Sequence, residues 1–140
     1  MKEHIVKKHI DISAPIETVW DALTNPQKTK KYFFHCRVHS TWTPGSPITF
    51  KGYMFWIIPI ELKGMIDKVD EPKLLQYTLK NSKDNSQSTV TDKLSFKDGV
   101  TTLHITDDVG AGEGAEKRYA KSVKGWNKVL QGLKKLCEQG

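Results

Sequence analysis

The amino-acid sequence predicts an α+β fold, a curved seven-stranded antiparallel sheet wrapped around one long C-terminal helix, with two short helices between strands 1 and 2. Three observations predict it. Helical spacing is confined to residues 16–33 and to the last 26 or so residues. From Cys36 to Thr106 the pattern is period two, broken by turn signals. No helical stretch separates consecutive strands in that region, so they pair antiparallel rather than through parallel crossovers.

The elements follow in order. In residues 4–12, Val6, Ile10 and Ile12 share one strand face, with His9 and Asp11 on the other and Lys8 anomalously on the apolar side. Ser13-Ala14-Pro15 ends the strand. Pro15 suits a helix start, and Glu17 in the first turn favours the helix dipole. Ile16, Val19, Trp20 and Leu23 repeat at helical spacing until Asn25-Pro26, where a second short helix runs to about Phe33. Strands are expected at 36–42, 47–56 and 58–69, with turns at Pro44-Gly45-Ser46-Pro47 and Glu71-Pro72-Lys73. Leu75, Tyr77 and Leu79 line the next strand, and residues 81–86 form a polar loop. Val90, Leu94 and Phe96 share a face of the following strand, with Asp92 among them. Asp98-Gly99 is a strong hairpin signal, because both residues tolerate positive φ. Leu103 and Ile105 continue the last strand, and Gly110, Gly112 and Gly114 make a hinge-like loop.

Residues 113–138 form the clearest element, a helix about 39 Å long. Ala115, Tyr119, Ser122, Val123, Val129, Leu130, Leu133 and Cys137 fall on the side of Trp126, and five lysines fall opposite. That division describes a helix lying on a sheet with its lysines in water. A twisted sheet around one helix leaves space at one end, which the short helices are placed to close.

Composition limits the function classes. With 140 residues, 37% hydrophobic and 27% charged, the chain reads as a single domain over 1–140 with its own core. No apolar run is long enough for a membrane span or a signal peptide, so the expected location is cytoplasmic. The two cysteines, Cys36 and Cys137, read as reduced thiols rather than a disulfide framework. The net charge is +6, mostly from the C-terminal segment. The lysine face lacks interleaved aromatics and any binding motif, so no nucleic-acid partner is expected.

Ala14-Pro15 with Val19-Trp20, Trp42 with the turn at 44–47, Gly64, Glu71-Pro72 with Leu75 and Tyr77-Thr78, Gly99 with Thr102-Leu103, and Gly125-Trp126 with Leu130 and Leu133 together carry a family resemblance. Over essentially its whole length the chain resembles the START or SRPBCC superfamily. Within it, the chain is similar to the group related to the C-terminal domain of the activator of heat-shock protein 90 ATPase. The resemblance implies the helix-grip fold with an apolar cavity between sheet and helix. The superfamily includes lipid carriers, hormone receptors, polyketide cyclases and co-chaperones, so fold alone does not assign function.

The candidate ligand-lining residues are Trp20, Tyr32, Phe34, Trp42, Phe50, Tyr77, Asp92, Tyr119 and Trp126. Their rings would supply the walls of an apolar cleft with few polar groups, or would fill that space themselves. Asp92 has three open readings: a cavity-facing acid or ligand anchor, a partner of Lys8 in an ion pair, or a residue turned to solvent by a bulge. His35, Cys36 and His39 do not converge on one strand face, and no cofactor or metal is expected. The apolar run Tyr53 to Ile60 puts bulk on both strand faces. Tyr53, Phe55, Trp56 and Ile57 are therefore candidates for contact with a chaperone or a second copy, with burial under a loop as the alternative. The expected function is non-enzymatic binding of a small hydrophobic ligand. The alternatives are a co-chaperone-like interaction module and a cyclase-like or hydrolase-like enzyme using Asp92.

Overall fold

The structure, a computed structural model, describes residues 4–54, 58–80 and 86–139. In chain order the elements are β1 (Ile5–Ile12), α1 (Ile16–Thr24), α2 (Pro26–Tyr32), β2 (Arg37–Ser40), β3 (Pro47–Met54), β4 (Ile58–Asp70), β5 (Leu74–Lys80), β6 (Gln87–Lys97), β7 (Val100–Asp108) and α3 (Ala115–Glu138). The seven strands form one antiparallel sheet in the order β1-β7-β6-β5-β4-β3-β2. Strands β2 to β7 are a meander, and β1 closes the far edge against β7.

The short helices carry the chain from one sheet edge to the other. Asn25 ends α1 and starts α2: its N–H donates to Asp21 O at 2.8 Å, and its side chain accepts from Gln27 N at 3.0 Å. Pro26 occupies the first turn of α2, where its missing N–H costs nothing. Helix α2 then protects the short edge strand β2. Buried Thr29 accepts the Val38 N–H through Oγ1 at 3.1 Å, so this edge amide is not left open for another chain.

Alternation sets the core face. On β7, Thr101, Leu103, Ile105 and Asp107 are buried while the residues between them are not. On β5 the buried residues are Leu75 and Tyr77, and on β6 they are Val90, Asp92 and Leu94. Helix α3 covers this face with Val129, Leu130, Leu133 and Cys137, its backbone coming closest to β1, α1 and α2. Close approach of α2 is possible because position 132 is glycine: a Cβ there would lie 2.9 Å from Cβ of Tyr32.

Several expectations change in detail. Strand β2 is shorter than residues 36–42, because Trp42 takes a positive φ of 59° and its N–H turns back to Ser40 Oγ. Phe96, expected inward, is 50% exposed because β5 begins opposite Lys93, which leaves Phe96 with a paired strand, β7, on one side only. The hairpin itself has positive φ at both Asp98 and Gly99, as the dipeptide predicts. The glycine loop before α3 is braced rather than hinge-like. Arg118 donates to the carbonyls of Val109, Glu113 and Ala111 at 3.0, 3.0 and 3.4 Å. Among the described residues no helix is long and apolar enough to cross a membrane.

Candidate functional site

The space between sheet and α3 is divided in two. An inner chamber of about 20 Å³ lies among Tyr32, Phe33, Trp42, Phe50, Tyr77 and Asp92, with Leu133 and other aliphatic side chains completing it. It has room for about one water molecule. An outer groove of about 330 Å³ opens to the surface between β4–β7 and α3, past Phe34, Leu62, Leu79, Val90, Asp107 and Ser122. Phe33, Tyr77, Trp126 and Val129 line both spaces and so form the wall between them. The groove volume is that of a small-molecule site, and the chamber volume is far below it.

The wall is built from interlocked rings. Phe33 stacks on Phe50 with centroids 4.8 Å apart and meets Trp126 edge-on at 5.9 Å. Phe50 meets Tyr77 at 5.8 Å. The chain leaves α2 through two consecutive left-handed residues, Phe34 and His35, which L side chains adopt only at a cost. That turn sends Phe33 inward and leaves Phe34 at the groove rim, 44% exposed, with its Cζ 3.5 Å from the position of a Cβ on Gly125.

Two aspartates stand on the core face. Asp107, only 6% exposed, accepts at Oδ2 from Ser122 Oγ at 2.6 Å and from Trp126 Nε1 at 2.9 Å. These bonds tie α3 to β7 and orient the indole of the wall. Among the described residues, Oδ1 of Asp107 is buried without a partner. Asp92, 3% exposed, lines the inner chamber, and its Oδ1 also lacks a partner among the described residues. Burial, and secondarily the charge of Asp107, raise the Asp92 pKa from 3.8 to about 7. Burial first, and then the charge of Asp92, hold the Tyr32 and Tyr77 phenols well above their ordinary range. Tyr32 Oη donates to Ala22 O at 2.7 Å, so this ring is a fixed strut between α1 and α2.

The residues singled out from sequence therefore scatter. Tyr32, Trp42, Phe50, Tyr77, Asp92 and Trp126 line the inner chamber, and Phe34, Tyr77 and Trp126 line the groove. Trp20 is buried in the core and Tyr119 lies against the His4 ring, and neither lines either space. The Lys8–Asp92 ion pair does not form, because β7 separates β1 from β6 and Ile105 stands between the two in register. Lys8 faces a separate surface cleft with Asn127 and Gln131. Asp92 is in regular register with Leu75 and Ile105, so no bulge turns it outward. Tyr53 is 59% exposed on the outer face of the sheet, whereas Phe55, Trp56 and Ile57 lie outside the described residues.

Asp107 and Phe33 were missed as site residues. Asp107 continues the period of Leu103 and Ile105, and Phe33 sits between two residues that were chosen, so both carried a signal. Among the described residues no three metal-type donors converge. Burial raises the pKa of the Cys36 thiol and takes that of Cys137 to about 11, which keeps both protonated and poor nucleophiles.

The family model described as "Activator of Hsp90 ATPase homolog 1-like protein" matches residues 13–138. The chain belongs to this family. Among solved structures, ChR145 from Cytophaga hutchinsonii is 34% identical, with 99% of this chain and 97% of that one covered and a TM-score of 0.75. MLL2253 from Mesorhizobium loti is 22% identical, with 96% and 97% covered and a TM-score of 0.82. CalU16 from Micromonospora echinospora is 19% identical, with 93% and 71% covered and a TM-score of 0.75. The last two show the fold alone. A search of curated proteins found no match. The fold of this Activator of Hsp90 ATPase homolog 1-like chain is one that commonly binds hydrophobic ligands.

Proposed function

We propose that residues 1–140 act as one non-enzymatic binding domain that holds a small hydrophobic molecule in the groove between β4–β7 and α3. The observation that carries this reading is the groove itself: about 330 Å³, walled by Phe33, Phe34, Leu62, Leu79, Val90 and Trp126, with Asp107 as a buried polar group. Apolar burial supplies the affinity and the few polar atoms supply orientation. Tyr32, Trp42, Phe50 and Asp92 support the ligand from behind the wall rather than by contact.

An acid with a pKa near 7 suits proton transfer, which favours a catalytic reading of Asp92. Space argues against it. The chamber beside Asp92 admits about one water and no substrate of useful size. Binding is therefore preferred.

Titration with an environment-sensitive apolar dye, followed by NMR, tests the proposal. The expected result is saturable binding, displacement by hydrophobic molecules, and movement of the Trp126 indole N–H resonance. A folded sample that binds no dye and shows no shift at Trp126 overturns it.

A further inference from the structure

An open cleft of about 890 Å³ lies at the β2 edge of the sheet, on the face away from α3. Strand alternation builds it. Val38 is buried on β2, so Arg37 and His39 face out, and Phe50 is buried on β3, so Lys51 and Tyr53 face out. Arg37 and Lys51 stand directly opposite each other in register. Lys30 and Lys31 join them from the last turn of α2.

The charges of this cleft do not balance. Glu61 lines it opposite Lys51, but its carboxylate is divided between Lys51 at 3.7 Å and Lys63 at 3.0 Å. Among the described residues no carboxylate oxygen lies within 4.0 Å of a nitrogen of Lys30, Lys31 or Arg37. The dipole of α2 accounts for lysines in its last turn. It does not account for Arg37 beside Lys51, because like charges directly opposite on neighbouring strands are destabilising. An anion placed between the two relieves that repulsion.

Shape and composition select the anion. A lipid surface is flat and does not follow a cleft. A phosphodiester strand is charged at every residue, and the Glu61 carboxylate repels it. A peptide alternates acids with neutral residues and amide N–H donors. Its acids can meet Arg37 and Lys51 while its neutral groups meet Glu61, Tyr53 and Pro59, which also line the cleft. From β2 to β4 is two strand spacings, about 10 Å, the reach of about three extended residues.

We propose that this cleft docks an acidic segment of a partner protein, with carboxylates of that segment on Arg37 and Lys51. Lys30 and Lys31 add attraction at longer range. Thr29 already holds the Val38 N–H, so recognition rests on side chains rather than on that edge amide. The cleft is separate from the ligand groove, which lies on the inner face of the sheet.

Fluorescein-labelled hexaglutamate, titrated at low ionic strength and again with added salt, tests this. Wild type is expected to bind it saturably and to lose affinity as salt rises. Arg37→Gln with Lys51→Gln is expected to weaken binding about tenfold. Lys7→Gln with Lys93→Gln removes the same charge from exposed positions on β1 and β6, and is expected to weaken it by no more than about twofold. Should the first pair of substitutions fold poorly, amide shifts in wild type give the answer: hexaglutamate moves Arg37, Lys51 and Tyr53 and leaves Lys7 and Lys93 in place. No binding by folded wild type, equal losses in the two double variants, or shifts confined to residues outside the cleft overturns the docking site. Tighter binding of a thymidine hexanucleotide or of phosphatidylserine vesicles than of hexaglutamate, lost with Arg37 and Lys51, overturns the assignment to an acidic peptide.

Discussion

Asp92 and Asp107 lie on the same face of adjacent strands, β6 and β7, and both are buried, yet their surroundings differ. Asp107 meets α3 where Ser122 and Trp126 supply two donors. Asp92 sits deeper, among Tyr32, Phe50, Tyr77 and aliphatic side chains, and its pKa rises to about 7. The same residue type is thus a tether in the outer groove and an uncompensated acid in the inner chamber. What distinguishes them is what the covering helix brings, since both stand on the inner face and both are almost fully buried.

The largest expected effect separates the two by pH. The folded pKa of Asp92 lies above its ordinary 3.8, so the folded state holds a proton that the unfolded chain releases. Stability is therefore full below about pH 4, falls as pH rises toward 7, and levels off above it. The interval from 3.8 to about 7 corresponds to roughly 4 kcal/mol. Asp92→Asn is expected to flatten that slope, measured as wild type minus variant in denaturant midpoints from pH 4 to 8. Parallel curves for the two proteins would show that Asp92 titrates normally.

Asp107→Ala tests the tether. It removes the acceptor of two hydrogen bonds to a carboxylate and strands the Trp126 indole N–H. We expect a loss of about 3 kcal/mol at neutral pH, together with a changed Trp126 fluorescence maximum. An unaltered unfolding midpoint would mean that the two bonds contribute no net stability.

A smaller effect sharpens the comparison from the inner side. Gly132→Ala pushes a methyl group against Cβ and the backbone of Tyr32, which lines the chamber but not the groove. The expected cost is about 2 kcal/mol, with dye binding in the groove retained. Loss of dye binding in a folded variant would show that the two spaces are not independent.

Much of this was legible in the residues. Period two from Val6 to Ile105 assigned the strands and their inner faces, and Asp98-Gly99 located the last hairpin. The angular division of α3 correctly put Val129, Leu130, Leu133 and Cys137 inward. The same division put Tyr119 inward, where it is 38% exposed and meets the His4 ring ahead of β1. Strand alternation likewise placed Phe96 inward without showing that β5 begins only opposite Lys93.

Local periodicity is a property of neighbours along the chain, so the sequence by itself determined the elements, their order and the face each one buries. Partners across space are not. Ser122 and Trp126 reach Asp107 from 15 and 19 residues away, and β7 intervenes between Lys8 and Asp92. Only the tertiary structure decided which aspartate gains donors, which loses its expected cation, and how the rings of Phe33, Tyr77 and Trp126 divide the interior. The physical reason is that desolvation and hydrogen bonding depend on the whole packed surroundings of a group, which no window of sequence contains.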